Sequence, residues 1–296
     1  MTHVRRLLSR PLAFLLLWVC AACVPVPLPQ SSFFRPGAGV LPDSVRDPAR
    51  WPPGYQMEER VFRAADGTRL HGLAFRRREP RAAVLFFGGN AFHSGTTGLR
   101  RARTLGAAGV DIFFIDYRGY GQSEGKPTID ALKADADAVY DSLVGSGAVR
   151  PERLIVHGHS LGSFVAAHLA TMRTIAGLVM EAPITDVDEH VAARTPWFAK
   201  LLLDVRADSM ARKESNLERV RRVDVPLLVL GGADDRVTPP GMARRIFEAA
   251  ATPEIRKRLH ILGGSGHNDM TANPAFATAY EQFLALPFPG TRTAEP

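Results

Sequence analysis

Cysteine is nearly absent from this sequence, which limits how the fold can be stabilised. The 296 residues include two cysteines, Cys20 and Cys23, and both lie near the start of the chain. Cleavage at Cys23 would leave no pair for an internal disulfide, so we expect the fold to depend on its hydrophobic core. A hydrophobic content of 46% is sufficient for a large globular domain.

Long hydrophobic runs are also missing from the start of the chain. The apolar stretch at residues 12–22 is shorter than the roughly 20 residues that a transmembrane helix needs. Arg5, Arg6 and Arg10 precede this stretch, a pattern typical of a targeting signal. We therefore expect an exported protein whose signal covers residues 1–23.

The end of that signal resembles a bacterial lipoprotein signal, in which a cysteine is acylated and becomes the new N-terminus. Ala21 and Ala22 precede Cys23, and a Pro-rich segment follows it. Cys20 stands three positions before Cys23, where such signals usually have leucine or a similar residue. The resemblance implies a lipid anchor at Cys23 and a place in the bacterial cell envelope. Cleavage as a plain secretory signal and retention as an uncleaved anchor are the alternatives.

Positive charge is in excess, but it forms no continuous stripe. Lys and Arg number 37 against 30 Asp and Glu, which gives a net charge of +7. The arginines occur in scattered clusters without interleaved aromatics, so we expect no nucleic-acid partner. A solvated basic surface accounts for this pattern, and attraction to anionic lipid head groups is the alternative. The sequence shows no metal-ligand cluster, phosphate loop or G-x-G-x-x-G motif, so we expect no metal and no cofactor.

Short apolar runs alternate with amphipathic segments along most of the chain. The runs predict buried strands, and helices are predicted between them. The main predicted strands lie at residues 82–87, 111–115, 153–157, 175–180, 225–230 and 258–262. This alternation predicts an α/β fold with a doubly wound, mostly parallel sheet. Residues 184–222 interrupt the alternation, and we expect them to form a small helical cap over the sheet.

The predicted domain covers residues 55–288, including the cap. Residues 24–54 are rich in Pro, Gly and Ser and have no sustained periodicity. They are interpreted as a tether, either free or wrapped on the domain surface. Residues 289–296 form a short tail.

The segment Gly158-His159-Ser160-Leu161-Gly162 is the most informative motif. It follows a predicted strand and precedes a predicted helix, which is the setting of a nucleophile elbow. In such an elbow the serine lies on a strained turn, and side chains at the two glycine positions would collide with their surroundings. We therefore predict that Ser160 is a catalytic nucleophile.

A serine nucleophile requires a base to accept its proton. His267 lies in a glycine-rich loop after the last predicted strand, from which it can fold back over Ser160. It is the predicted base. His93 and His190 lie in segments near the expected site and are the rival candidates.

The base in turn requires a carboxylate that fixes its tautomer and stabilises its charged form. Asp234 and Asp235 follow the predicted strand that ends at Leu230, and either can supply this carboxylate. Asp186, after the preceding predicted strand, is a further candidate. It is expected to be a solvated residue at the entrance to the cap.

The oxyanion of a tetrahedral intermediate requires hydrogen-bond donors. We predict the backbone N–H groups of Leu161, directly after the nucleophile, and of Asn90, in the glycine-rich turn after Phe87. A simple tight turn at residues 88–91 is the alternative.

Together these motifs resemble those of the α/β-hydrolase superfamily, in particular its short-cap, membrane-associated serine hydrolases. The resemblance covers residues 55–286. The motifs that carry it are FGGN at 87–90, DYRGYGQSEG at 116–125, GHSLG at 158–162, GADDRV at 232–237 and GSGHN at 264–268. The chain order Ser, Asp, His is the order that this fold uses.

The resemblance also implies which aspartate is the acid. The family turn G-x-x-D-x-x-V-P points to Asp234, three residues before Val237, and leaves Asp235 to face solvent or cap the next helix. Family members usually have His-Gly-Asn at the oxyanion motif, whereas here Gly88 replaces the histidine. This difference is expected to alter the loop or the pocket more than the reaction.

The motifs and the resemblance imply a serine hydrolase that cleaves acyl esters, with a small ester or a lipid as substrate and the membrane as a partner through the anchor. A serine peptidase or amidase of the same fold is an alternative. A membrane-tethered binding protein without turnover is another. Four apolar residues of the cap either line an acyl pocket or pack the cap onto the core: Trp197, Phe198, Leu201 and Leu202.

Overall fold

The protein is described by a computed structural model that covers residues 24–196 and 203–288. The strands are β1 (Val24–Leu28), β2 (Gly37–Ala38), β3 (Gln56–Arg63), β4 (Arg69–Arg76), β5 (Ala83–Phe87), β6 (Asp111–Ile115), β7 (Tyr120–Gly121), β8 (Leu154–His159), β9 (Gly177–Glu181), β10 (Leu203–Ala207), β11 (Leu227–Gly232) and β12 (Lys257–Leu262). The helices are α1 (Leu99–Ala107), α2 (Ile129–Gly145), α3 (Gly162–Met172), α4 (Val187–Arg194), α5 (Asn216–Val220), α6 (Pro240–Ala249) and α7 (Pro274–Leu284).

Eight of these strands form the central sheet, in the order β12-β11-β9-β8-β5-β6-β4-β3. The six strands from β12 to β6 pair in parallel. Only β3 and β4 run antiparallel to their neighbours. The predicted α/β fold with a mostly parallel, doubly wound sheet is therefore confirmed.

The side chains of neighbouring residues on the inner strands point to opposite faces of the sheet. On β5, Phe87 joins the core that includes Leu132 of α2 and Phe164 of α3. Phe86 points the other way, into the core that includes Leu105 of α1 and Tyr280 of α7. Because helices cover both faces, every residue of β5 is buried, and the strand appears in the sequence as a continuous apolar run.

The parallel register brings four loops to one edge of the sheet. Phe87, the last residue of β5, pairs with Gly158 near the end of β8. The loops after β11 and β12 leave the sheet at the same edge, because Gly232 pairs with Leu262. Candidate residues from distant parts of the sequence therefore converge at the carboxyl ends of the strands, where open α/β sheets bind ligands.

The segment 24–54 lies against the domain instead of extending away from it as a free tether. Strand β1 pairs in parallel with β10, and β2 pairs in parallel with β7. Phe34, Leu41 and Val45 are buried in the two cores. The packed part of the chain thus begins before the expected boundary at residue 55, since these apolar side chains find partners in the sheet layers.

The predicted cap lies between β9 and β11 and contains α4, β10 and α5. The expected cap was purely helical, whereas its described part also contains a strand, β10, which pairs with β1. The signal at 1–23, the tail at 289–296 and the four apolar cap residues all lie outside the described residues. Within 24–196 and 203–288, no helix combines the length and hydrophobicity needed to cross a bilayer.

Candidate active site

Ser160 lies on a sharp turn between β8 and α3. Its backbone φ of +54° falls in the left-handed region, which is unusual for a residue with a side chain. A Cβ at Gly158 would lie 2.3 Å from the carbonyl oxygen of Gly162, and a Cβ at Gly162 would lie 2.1 Å from the carbonyl oxygen of Phe87. The two glycines are therefore required by close packing, as the elbow motif predicted.

Ser160, His267 and Asp235 form a continuous hydrogen-bonded chain. His267 Nε2 lies 2.9 Å from Ser160 Oγ, and His267 Nδ1 lies 2.8 Å from Asp235 Oδ2. With Nδ1–H donating to the carboxylate, the lone pair of Nε2 is left to accept from the serine hydroxyl. This arrangement allows the imidazole to remove the hydroxyl proton, because nucleophile, base and orienting acid are already in contact.

The structure brings Asp235, and not the predicted Asp234, to the base. The side chain of Asp235 is fully buried, whereas Asp234 is exposed and its backbone N–H donates to the carbonyl of Ser265. The family turn places its aspartate four residues before the proline. In this chain that proline is Pro239, and Thr238 stands where the family has valine. Alignment on the proline identifies Asp235, whereas alignment on Val237 led to Asp234.

Hydrogen bonds hold Asp235 in its ionised form. Its Oδ1 accepts from the backbone N–H groups of Val237 at 2.7 Å and Thr238 at 2.9 Å. Its Oδ2 accepts from the Thr238 hydroxyl at 2.8 Å as well as from His267. Burial alone would raise the pKa of Asp235, but these donors outweigh it and the pKa lies below its ordinary value. The carboxylate is thus charged and fixed in orientation.

His159, the residue before the nucleophile, holds the loop that carries His267. Its Nε2–H donates to the backbone carbonyl of His267 at 2.9 Å, and the two rings lie 5.0 Å apart. Burial and the nearby charge of Arg101 lower the pKa of His159 to about 3, so the ring is a neutral donor at neutral pH. A Cβ on Gly89 would lie 2.9 Å from His159 Nδ1, so the ring also packs against the oxyanion loop. The sequence analysis missed this role.

The predicted oxyanion donors, Asn90 and Leu161, lie next to Ser160 in one cavity. Neither backbone N–H has a hydrogen-bond acceptor within the described part of the chain. The side chain of Asn90 is engaged elsewhere: its Oδ1 accepts from the backbone N–H of Arg35 at 2.6 Å and from the Tyr120 hydroxyl at 2.9 Å. The two amides are therefore free to bind a negative oxygen.

Tyrosines of the 116–125 motif support the oxyanion loop. The Tyr117 hydroxyl donates to the carbonyl of Gly88 at 2.8 Å, while Tyr120 holds Asn90. The space in front of Gly88 is filled by the ring of Phe92, whose Cγ would lie 2.0 Å from a Cβ at position 88. This packing leaves no room for the family's usual histidine.

The rival candidates occupy other positions. His93 lines a separate cavity of about 170 Å³, with Asp116 and Gly121, which does not include Ser160. His190 lines the same cavity as Ser160, but His267 alone contacts the hydroxyl among the histidines described. Asp186 caps α4, because its Oδ1 accepts from the backbone N–H of Glu189 at 2.7 Å. No group of three potential metal ligands occurs in residues 24–196 and 203–288.

The cavity above Ser160 has a volume of about 520 Å³, and nine of its twenty lining residues have apolar side chains. They come from the N-terminal segment, from α2 and α3, from α4 of the cap and from the loop after β11. They are Leu28, Phe33, Ile129, Leu161, Phe164, Ile184, Val187, Val191 and Val237. The N-terminal segment thus forms a wall of the cavity, which composition alone did not indicate. A cavity of this kind suits an apolar group of a small molecule.

A buried ion-pair network lies beneath the elbow. Glu181, at the end of β9, has no exposed surface and accepts two hydrogen bonds from Arg101, at 2.6 and 3.0 Å. His157 Nε2 lies 3.1 Å from the same carboxylate. Burial would raise the pKa of Glu181, but the charge of Arg101 and the hydrogen bond from His157 hold it well below the ordinary value. The backbone carbonyl of Glu181 accepts from Ser160 N–H at 2.9 Å, which connects the network to the nucleophile turn.

The sheet order, the strained serine turn and the Ser–His–Asp geometry define a class of protein, the serine hydrolases of the α/β-hydrolase superfamily. Residues 78–217 match the family model described as serine aminopeptidase, S33. The chain is 35% identical over 242 residues to an uncharacterised protein of Mycobacterium tuberculosis, covering 80% of this chain and 79% of that one. It is 27% identical to human alpha/beta hydrolase domain-containing protein 17B, over 76% of this chain and 74% of the relative.

Solved structures agree with the fold. An esterase of Pyrococcus furiosus superposes with a TM-score of 0.66 at 17% identity, covering 85% of this chain and 97% of that chain. This likeness concerns the fold alone. The family model and the relatives above show that the chain belongs to the α/β-hydrolase superfamily and is a serine hydrolase.

Proposed function

We propose that the protein hydrolyses carboxylic acyl esters through an acyl-enzyme on Ser160. The observation that carries this proposal is the unbroken contact from Ser160 through His267 to Asp235 at the floor of a cavity that has an apolar wall. Two free backbone amides beside the serine, at Asn90 and Leu161, supply the donors that the oxyanion of acyl transfer needs.

In the first half-reaction, Ser160 Oγ attacks the ester carbonyl carbon while His267 Nε2 takes the hydroxyl proton. The carbonyl oxygen becomes an oxyanion, which the amides of Asn90 and Leu161 stabilise. The intermediate collapses, the bond to the alcohol breaks, and His267 returns the proton to the departing oxygen. In the second half-reaction, water attacks the acyl-enzyme with His267 as base, and Ser160 is released with the carboxylic acid.

A serine peptidase or amidase is the second candidate, because the matching family model is described as a serine aminopeptidase. A matched pair of substrates separates the two: a p-nitrophenyl ester and the p-nitroanilide of the same acyl group. Serine peptidases also cleave an activated ester faster than the anilide, so the preference alone does not decide. Ester hydrolysis with no detectable anilide hydrolysis supports the proposal, and measurable turnover of the anilide contradicts it. Ser160→Ala should lower the favoured rate by about 10³-fold or more. Absence of turnover with either substrate would favour a binding protein.

We further propose that acylation of Cys23 anchors the protein in the cell envelope. The support is the signal-like sequence and the position of Leu28 in the cavity wall, five residues after Cys23. Metabolic palmitate labelling that is lost in Cys23→Ser is the expected result. A soluble and unlabelled wild-type protein would contradict the anchor without affecting the proposed chemistry.

A further inference from the structure

The charged side chains around the Ser160 cavity are all of one sign. Two arginines line it: Arg35 from the N-terminal segment and Arg194 from the end of α4. No Asp or Glu of the described residues lines the cavity with them. The arginines are exposed, so they lie at the rim and not in the apolar interior.

Neither arginine is neutralised by a carboxylate in the described part of the chain. Arg35 and Arg194 take part in no ion pair there. The acidic residues nearest to Arg194 on its own helix are engaged elsewhere: Asp188 pairs with Arg212 at 3.0 Å, and Glu189 pairs with Arg245 at 2.6 Å. The positive charge at the rim is therefore available to a ligand.

The field of Arg194 extends into the cavity. His190 lines the cavity, and its pKa is lowered to about 4, first by burial and then by the charge of Arg194. His190 is therefore neutral at physiological pH, so the arginines supply the positive charge among the described residues that line the cavity. Arg35 lies close to the oxyanion loop, because its backbone N–H donates to Asn90 Oδ1 at 2.6 Å. The two arginines thus line the cavity from the N-terminal segment and from the cap.

We propose that Arg35 and Arg194 select acyl esters that also carry a carboxylate group, with the acyl chain against the apolar wall and the anion at the rim. This inference depends on the proposed esterase function. Guanidinium groups suit such anions because their planar N–H donors match two oxygens at once. The anion can belong to the acyl part or to the alcohol part of the ester, and the test separates these two sources.

Two pairs of synthetic esters provide the test. The first pair places the charge on the acyl part: mono-p-nitrophenyl glutarate against neutral p-nitrophenyl pentanoate. The second places it on the alcohol part: 4-butyryloxybenzoate against its methyl ester. The measured quantity is the ratio of kcat/KM for the anionic ester to kcat/KM for its neutral partner. It is determined for the wild type, Arg35→Gln, Arg194→Gln and Arg78→Gln, with thermal unfolding to verify that each variant folds.

Arg78 is the matched control, since it is exposed, pairs with no carboxylate of residues 24–196 and 203–288, and does not line the cavity. Its substitution removes the same net charge, so it corrects for long-range attraction of anions. We expect the wild-type ratio to exceed one for at least one pair and to fall about three- to tenfold in Arg35→Gln or Arg194→Gln, but not in Arg78→Gln. The preference should weaken as the salt concentration rises.

A wild type that cleaves the neutral esters without preferring either anionic ester would overturn the selection and leave the esterase function intact. An equal fall of the ratio in Arg78→Gln would also overturn it, because net charge would then explain the preference. If the wild type cleaves none of the four esters, the esterase function and this inference are both overturned.

Discussion

Asp234 and Asp235 are adjacent in the sequence but lie in opposite environments. Asp235 is fully buried and accepts hydrogen bonds from His267, Val237 and Thr238, whereas Asp234 is exposed to solvent. The sequence could place a carboxylate after β11, because a parallel sheet collects its functional residues at that edge. Residue type could not decide between Asp234 and Asp235, because both are aspartates. The spacing from Pro239 does decide, since the family's aspartate lies four residues before the proline.

Substitution of each aspartate by asparagine should separate them. Asp235→Asn removes the charge that orients His267, so the ester kcat should fall roughly 10³- to 10⁴-fold. Asp234→Asn should stay within about twofold of the wild type, since its side chain is exposed. Steady-state kinetics with a p-nitrophenyl ester provides the measurement, and thermal unfolding verifies folding. A larger loss in Asp234→Asn than in Asp235→Asn would refute the assignment.

At the level of elements, the N-terminal segment is the part that the sequence predicted least well. Its Pro-rich composition favours a tether, and its partners are distant in sequence. The backbone N–H of Gln30 donates to Asp208 at 2.6 Å, across 178 positions. Local periodicity contains no signal for such a contact. By contrast, β5 and β6 were recognisable, because strands buried on both faces appear as continuous apolar runs.

Phe33 tests whether this segment contributes to substrate choice. It lines the cavity and is partly buried, so Phe33→Trp should narrow the acyl site. We expect kcat/KM for long-chain p-nitrophenyl esters to fall several-fold more than for the acetate ester. A difference of one methylene group in an apolar pocket changes the binding free energy of the transition state by about 1–3 kcal/mol. Val40→Ala, in the same segment but 93% exposed and outside this cavity, is the control. An unchanged chain-length profile in Phe33→Trp would show that the segment does not form the acyl wall.

For the molecule as a whole, buried ionisable groups affect the free energy of unfolding, in addition to apolar packing. His157 and His159 lie under the elbow and are neutral, because burial lowers the pKa of both. The unfolded chain binds a proton at each below about pH 6.5. The folded protein then binds fewer protons than the unfolded one, so its stability falls as the pH falls below this value.

His159→Gln should reduce this acid sensitivity. The folded-state pKa of His159 is about 3, so between pH 7.5 and 5.5 this group alone should cost about 1.4 kcal/mol of unfolding free energy. Glutamine does not titrate and keeps an N–H donor for the carbonyl of His267. Urea unfolding at the two pH values provides the measurement. An equal loss of stability in the wild type and in His159→Gln would contradict the pKa assignment.

The architecture of the whole molecule was more predictable than its details. The alternation of strands and helices predicted the parallel sheet, and the elbow glycines predicted the turn at Ser160, because both follow from local sequence and simple sterics. The buried Arg101–Glu181 pair was not predictable, since nothing in the sequence shows which charges will meet.

The most direct test of the central claim is covalent labelling with a fluorophosphonate probe, followed by peptide mass spectrometry. We expect one adduct, on Ser160. Labelling should be absent in Ser160→Ala and strongly reduced in His267→Ala. Persistent labelling of Ser160→Ala, or an adduct on another residue of the wild type, would contradict it.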